Sequence, residues 1–388
     1  MSSAPLPSSG TARRRRLLVG ALGGLALLAV TACQPAPALP QLPSEPAEPA
    51  PAPVEPAPAP VEAAPTAQPS TDQVISGARY VSRSGSDSAS GSQSSPWRTI
   101  QKGLLSVSAG QTLYVRGGTY TENVKVSASQ MRPGTSSSPV RILAYPGERP
   151  VIQGLFHLTN PSYWYIEGIN VTWNTANSRG SHMVKLLGGT GWRFTNSEVW
   201  GARSYAAVLV GNGAKSFRID NNYIHDTYKS NDLNQDHLIY VDNGQTGNGV
   251  IERNVLARSS NGRGVKLGPG STSQPGTSNI VIRYNTFYMN QGPSNVQFSG
   301  SSSNNQVYRN LMDTSGSGRA NVTRYQLSGS NNVVKDNLGW GSNGIAEFGT
   351  GVVNGGGNVI ANPQLANPSG GDFRPTNSAA AGYGAEAP

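Results

Sequence analysis

The stretch IERNVL, residues 251 to 256, holds an apolar residue, two variable positions, an asparagine, and a β-prone or apolar pair. The same arrangement returns as IEGINV (166–171), FTNSEV (194–199), IDNNYI (219–224), IRYNTF (282–287), VYRNLM (307–312) and VKDNLG (334–339). Its fourth position is occupied by Ile169, Ser197, Asn222, Asn254, Asn285, Asn310 and Asn337, at intervals of 28, 25, 32, 31, 25 and 27 residues. These intervals are too regular for chance and too uneven for units of one fixed length. Recurrence on this scale marks a repeat architecture.

A second short strand follows each of these positions: VKLLG, AVLVG, LIYVDNG, GVKLG, NVQFSG, RYQLSG and IAEFG. Each repeat thus supplies at least two strands separated by Gly, Ser and Asn turns. A unit this small cannot bury a face alone and must stack on its neighbours. Leucine-rich repeats need regular leucines and propellers need four strands per blade, and neither pattern is present. The sequence predicts an all-β chain, a right-handed parallel β-helix of roughly ten coils. The recurring asparagines are expected to stack as a buried ladder, because a buried amide left unpaired costs a kcal/mol or more.

Composition agrees. Charged residues make up 13% of the 388 and glycine numbers 47, which suits a turn-rich β protein and excludes a coiled coil. The formal charge of +9 includes Arg13, Arg14, Arg15 and Arg16, without which 26 basic residues face 21 acidic ones. That modest excess suits an acidic polysaccharide or simple solubility. With no recognisable motif, it gives no case for nucleic acid. The chain is expected to act as a monomer.

Residues 1–32 have the form of a secretory signal: four arginines, a short apolar run, then small residues. Val30-Thr31-Ala32-Cys33 resembles a bacterial lipobox, which makes Cys33, the only cysteine, the expected lipidation site. The arginine run is a weak twin-arginine signal, so either export route stays open. Residues 33–73, rich in Pro and Ala, cannot form a core and are expected to be an extended tether. Residues 74–388 form the β-helix domain in this reading. The protein would then be exported and membrane-anchored, periplasmic or at the cell surface.

In SSPWRTIQKGLLSV (94–107), Ser95 as N-cap and Pro96 at the first helical position predict a helix. Trp97, Ile100, Leu104 and Leu105 form its apolar stripe, covering the first coil. YVSRSGSDSASGSQSSPWRTIQKGL followed by GQTLYVRGGTYTENV resembles the opening of many secreted β-helix proteins of the pectate-lyase-like group, and NPQLANPSGGDFRPTNSAAAGYG resembles their closing segment. The resemblance covers residues 78 to 385 and implies the fold. It leaves activity open, because the group includes polysaccharide lyases, glycoside hydrolases, epimerases and non-enzymatic surface proteins.

Aligning the second strands puts Leu186, Leu209, Tyr240, Lys266, Gln297, Gln326 and Glu347 at one position. Period-two alternation sends their neighbours, such as Val265 and Leu267, into the core and Lys266 outward. Two residues earlier on the same face lie Gly264, Asn295 and Arg324, with His237 and Arg263 just before their strands. Eliminating across a uronide needs a group to neutralise its carboxylate and a base for the adjacent proton, often with Ca²⁺ assisting. His237 or Tyr240 is the expected proton-transfer group, with Arg263 and Lys266 holding the anion. Lys266 could be the base only if its pKa were strongly depressed. Asn295, Gln297, Arg324 and Gln326 are the expected substrate contacts, and Asp232, Asp236 and Asp242 the Ca²⁺ candidates.

No lyase signature of the WIDH type is present, nor the NTD, DD, GHG and RIK set of β-helix polygalacturonases. Hydrolysis would need a carboxylate pair, for which Asp236 and Asp242 are candidates. The spacing of His225, Asp226, Asp236 and His237 matches no zinc motif. The aromatic run Tyr163-Trp164-Tyr165, with Trp173 and Trp200, is expected to pack more than to bind sugar. Two readings remain: an enzyme acting on acidic polysaccharide, foremost a lyase, and a non-catalytic envelope protein that binds glycan or a partner.

Overall fold

A computed structural model describes residues 74–228, 235–242, 246–270, 274–316 and 318–386. The signal, the tether, Cys33 and Asp232 lie outside the described residues.

Each recurring hexapeptide straddles a corner. In IERNVL, Val250–Glu252 belongs to one parallel sheet and Val255–Ala257 to the next, with Arg253 between them in the left-handed region (φ 52°). The equivalent corners use Gly168, Asn196, Asn221, Tyr284, Arg309 and Asp336, all at positive φ. Such a conformation costs a bulky residue on the order of 1 kcal/mol. The asparagine that follows offsets it. Asn254 donates through Nδ2 to Ile219 O at 2.9 Å, while Asn285 Oδ1 accepts both the Asn254 backbone N–H at 3.0 Å and its Nδ2 at 2.9 Å. The same exchange links Asn222 to Asn254, Asn285 to Asn310 and Asn310 to Asn337. The ladder runs one coil further than its sequence signature, to Asn358.

Three parallel sheets of 11, 8 and 10 strands wind together as a right-handed β-helix. All three sheets are represented in eight coils, fewer than the ten expected, because the later strands at Asn332–Lys335 and Val352–Asn354 have no partner strand in the eight-stranded sheet. Inside, Val208, Ile239, Val265, Val296 and Val322 stack in register, none more than 1% exposed. Each such side chain stabilises by about 1.5–3 kcal/mol through burial.

The front is closed by a helix, Ile100–Ser106, that starts four residues later than expected. Thr99 is the cap, its hydroxyl accepting from Lys102 N–H at 3.1 Å. Asp87 fixes this start by accepting the N–H groups of Arg98 and Thr99. Trp97 precedes the helix, pairs with Val81 and is buried, its indole N–H bonded to Ala89 O. Ile100 and Leu104 cover the first coil as the stripe predicts. Trp164 is fully buried, in line with the packing reading of its aromatic run.

Candidate functional site

The eight-stranded sheet carries the candidate residues. Its register gives one outward row: Lys125, His157, Lys185, Leu209, Tyr240, Lys266, Gln297 and Thr323. Val265 and Leu267 are fully buried and Lys266 is partly exposed, so the lysine does face outward.

Two positions of the expected row are corrected. Leu186 points into the core, and Lys185 takes the outward place; VKLLG offers two leucines, and counting back from the glycine chose the wrong one. Gln326 lies beyond its strand at φ 44°, and Thr323 pairs with Gln297 instead. Arg324 therefore aligns with Phe298 and bonds Thr350 O, away from the expected row with Gly264 and Asn295. Tyr325 and Phe348, which the same alternation sends inward, are exposed.

At the centre, Lys266 Nζ lies 4.2 Å from the middle of the Tyr240 ring. The Tyr240 hydroxyl donates to Asp242 Oδ1 at 2.8 Å, and burial, the Asp242 charge and this bond push its pKa up, so it stays a phenol. Burial first, then the Arg263 charge, push Lys266 down to about 8. No described carboxylate bonds its Nζ, so a large fraction of the amine is neutral near pH 8. Arg263 is 4% exposed, and its Nε has no hydrogen-bond partner. Burial lowers it to about 10, which leaves it charged at neutral pH.

His237 takes a different place from the one expected. It is fully buried at the start of its strand, with its ring edge-on to Tyr240 at 5.6 Å, and Nδ1 accepts the Arg263 backbone N–H at 3.1 Å. Burial drives its pKa well below 6.5. Nε2 has no partner, and the ring is sealed from solvent, so His237 supports Arg263 from below. The expected substrate contacts Asn295 and Gln297 are also buried. Asn295 belongs to an interior amide chain, donating to Asn321 Oδ1 at 2.7 Å, and Gln297 lies near Thr323.

Asp236 is fully buried and ion-paired with Arg179 at 3.0 Å, while Asp242 holds Tyr240. They do not present the open carboxylate pair that hydrolysis needs. Calcium needs several carboxylate oxygens together. Among the described residues no group of three or more His, Cys, Asp and Glu could hold a metal ion. The described part of the expected Ca²⁺ set does not fit that ion.

Sequence reasoning missed His182, Tyr205 and Arg179 beside the row. The Arg179 guanidinium lies 4.7 Å from the Tyr205 ring centre, and His182 meets that ring edge-on at 5.8 Å. His182 has φ 57° and ψ 152°, a strained conformation of the kind that gathers at functional sites. Its local sequence, NSRGSH, looks like an ordinary turn.

Residues 79–236 match the family described as Pel9A-like, right handed beta helix region. Pectate lyase PEL9 of Emericella nidulans is 41% identical over 83 residues, 21% of this chain and 19% of its own. The crystal structure of pectate lyase Pel9A superposes with a TM-score of 0.53 at 12% identity, covering 76% of this chain and 84% of that one. The complex of XylC with xylose gives 0.52 at 12% identity, covering 73% and 68%. At such identity a superposition speaks to the fold. The protein is a right-handed parallel β-helix, and its residues 79–236 are similar to the Pel9A-like β-helix family. It spans about a fifth or less of the length of the curated relatives it matches. Tyr240, Arg263 and Lys266 lie beyond the matched segment.

Proposed function

We propose that the protein cleaves an acidic polysaccharide by β-elimination, with Lys266 as the base. The observation that carries this reading is the placement of Lys266: an outward amine over the Tyr240 ring, bonded by no described carboxylate and beside the buried Arg263 guanidinium. The pectate lyase among the curated relatives supports a uronide as the substrate class.

In this account the sugar carboxylate settles at Lys266 and Tyr240, drawn by the charge of the buried Arg263 guanidinium beside them. Neutral Lys266 takes the proton on the carbon next to the carboxylate. The electron pair passes through the developing enolate, whose charge Arg263 offsets. It then forms the new carbon–carbon double bond as the bond to the leaving oxygen breaks. That oxygen takes a proton, from Lys266 or from water. Tyr240 supplies a flat platform and keeps its own proton. This changes the roles expected from sequence: the lysine moves the proton, and the tyrosine and histidine position it.

We also propose export and surface anchoring through lipid on Cys33, supported by the residues before it. Incubating the purified domain with a panel of polyuronides, with and without Ca²⁺, tests the activity through the ultraviolet absorbance of unsaturated product. Cleavage that yields only saturated ends would contradict it.

A further inference from the structure

The outward row does not stop at Tyr240. Three coils before Lys266 stands Lys185, and two coils before that Lys125, with His157 between them. Coils stand about 4.8 Å apart, so Lys125 lies on the order of 25 Å from Lys266 along the axis. Among the described residues no carboxylate bonds either lysine. Two like charges share one face without a counter-charge.

A wall flanks this part of the row. Residues 174–182 leave the coil and run beside it. Near one end, Asn177 exchanges two side-chain hydrogen bonds with Asn123, at 2.9 and 3.1 Å. Further on, Arg179 pairs with Asp236 at 3.0 Å. Asn123 immediately precedes the strand Val124–Val126, and Asp236 immediately precedes His237–Val241. The segment is therefore pinned along one edge of the sheet from the first of these strands to the fifth. His157 Nε2 meets His182 O at 3.1 Å and ties the row to the wall.

The other end of the row is different. Gln297 and Thr323 are buried, and the next coil offers Glu347 beside Arg319. Among the described residues of this sheet, cationic positions that face outward, unpaired and beside a wall lie on one side of Lys266.

We infer that Lys125 and Lys185 form an anion track that binds a uronide chain on the N-terminal side of Lys266 and makes the protein select polymer over short oligomer. The inference rests on the proposed lyase reading of Lys266. A sugar ring is about as long as one coil is tall. A chain lying along the axis would set carboxylates two rings apart against Lys125 and Lys185. A trimer seated at Lys266 would reach neither all of the wall nor Lys125.

The test compares the full chain with the double variant Lys125→Ala/Lys185→Ala, and with Lys335→Ala, which removes a lysine from another sheet. Retention in gels containing polygalacturonate is measured beside the ratio of kcat/KM for polygalacturonate to that for its trimer. The double variant is expected to lose about tenfold in both readouts, with the retention loss shrinking as salt rises, while Lys335→Ala keeps the wild-type values. Wild-type polymer preference and retention in the double variant, with melting intact, would overturn the track and leave the lyase reading standing. Retention that falls in the double variant of a protein that cleaves no uronide would keep the track and remove the lyase reading. A wild-type chain that neither binds nor cleaves polygalacturonate would overturn the track as well.

Discussion

Tyr240 and Lys266 hold the same register position on neighbouring coils, with the lysine Nζ 4.2 Å from the centre of the tyrosine ring. The ring face favours the ammonium form, but burial strips water from the amine without a bonded counter-ion and outweighs it. That lowers its pKa and makes an amine able to accept a proton near pH 8. The neighbouring Arg263 charge acts in the same direction.

Replacing Arg263 with Met should act on this balance in two ways. Removing a nearby positive charge makes Lys266 easier to protonate, so its pKa should rise from about 8 toward its ordinary value and the rate profile should move to higher pH. The maximal rate should also fall, on the order of 100-fold, because the developing enolate loses its counter-charge. An unchanged inflection measured across pH 6 to 10 would show that the two cations are not coupled.

Asn254→Ala should destabilise the fold by about 1–3 kcal/mol, because it strands the Asn222 backbone N–H and removes the side-chain bond to Ile219 O. Asn285→Ala should behave alike. Denaturant melts that match wild type would break the account of the corner.

His157 predicts an acid weakness. Burial lowers it to about 4 in the folded state, against an ordinary value of 6.5. The unfolded chain binds this proton more readily, so the contribution is complete above about pH 6.5 and is lost as pH falls toward 4. The loss should be on the order of 2 kcal/mol, and His157→Gln should flatten that limb of the melting-temperature profile. Parallel profiles for the two proteins would count against it.

Cys33→Ser should move the protein from the membrane fraction to soluble export. Unchanged membrane retention would defeat the lipid anchor.

The fold was legible because a corner in the left-handed region needs a neighbouring amide, and that demand leaves an asparagine in nearly every coil. The direction of Lys266 was legible for a similar reason, since Val265 and Leu267 alternate with it. Strand register at the edges was not. VKLLG carries one more residue between its lysine and its glycine than GVKLG, so counting back from the glycine put Leu186 in the outward place, although Val184 and Leu186 flank Lys185 as Val265 and Leu267 flank Lys266. Nor could the chain report the burial of His237, which follows from pairing with Ala206 and packing beneath Arg263. The proposed base moves from His237 or Tyr240 to Lys266 because desolvation depends on depth.

The central claim is that the Lys266 amine removes the proton. The most direct measurement is the pH profile of unsaturated-product formation from polygalacturonate, by ultraviolet absorbance, for the wild-type chain and Lys266→Ala. The account predicts a wild-type rate that rises with pH through about 8 and a variant slower by about 100-fold or more with its melting temperature retained. A Lys266→Ala protein that forms unsaturated product at the wild-type rate, with the same inflection, would contradict it.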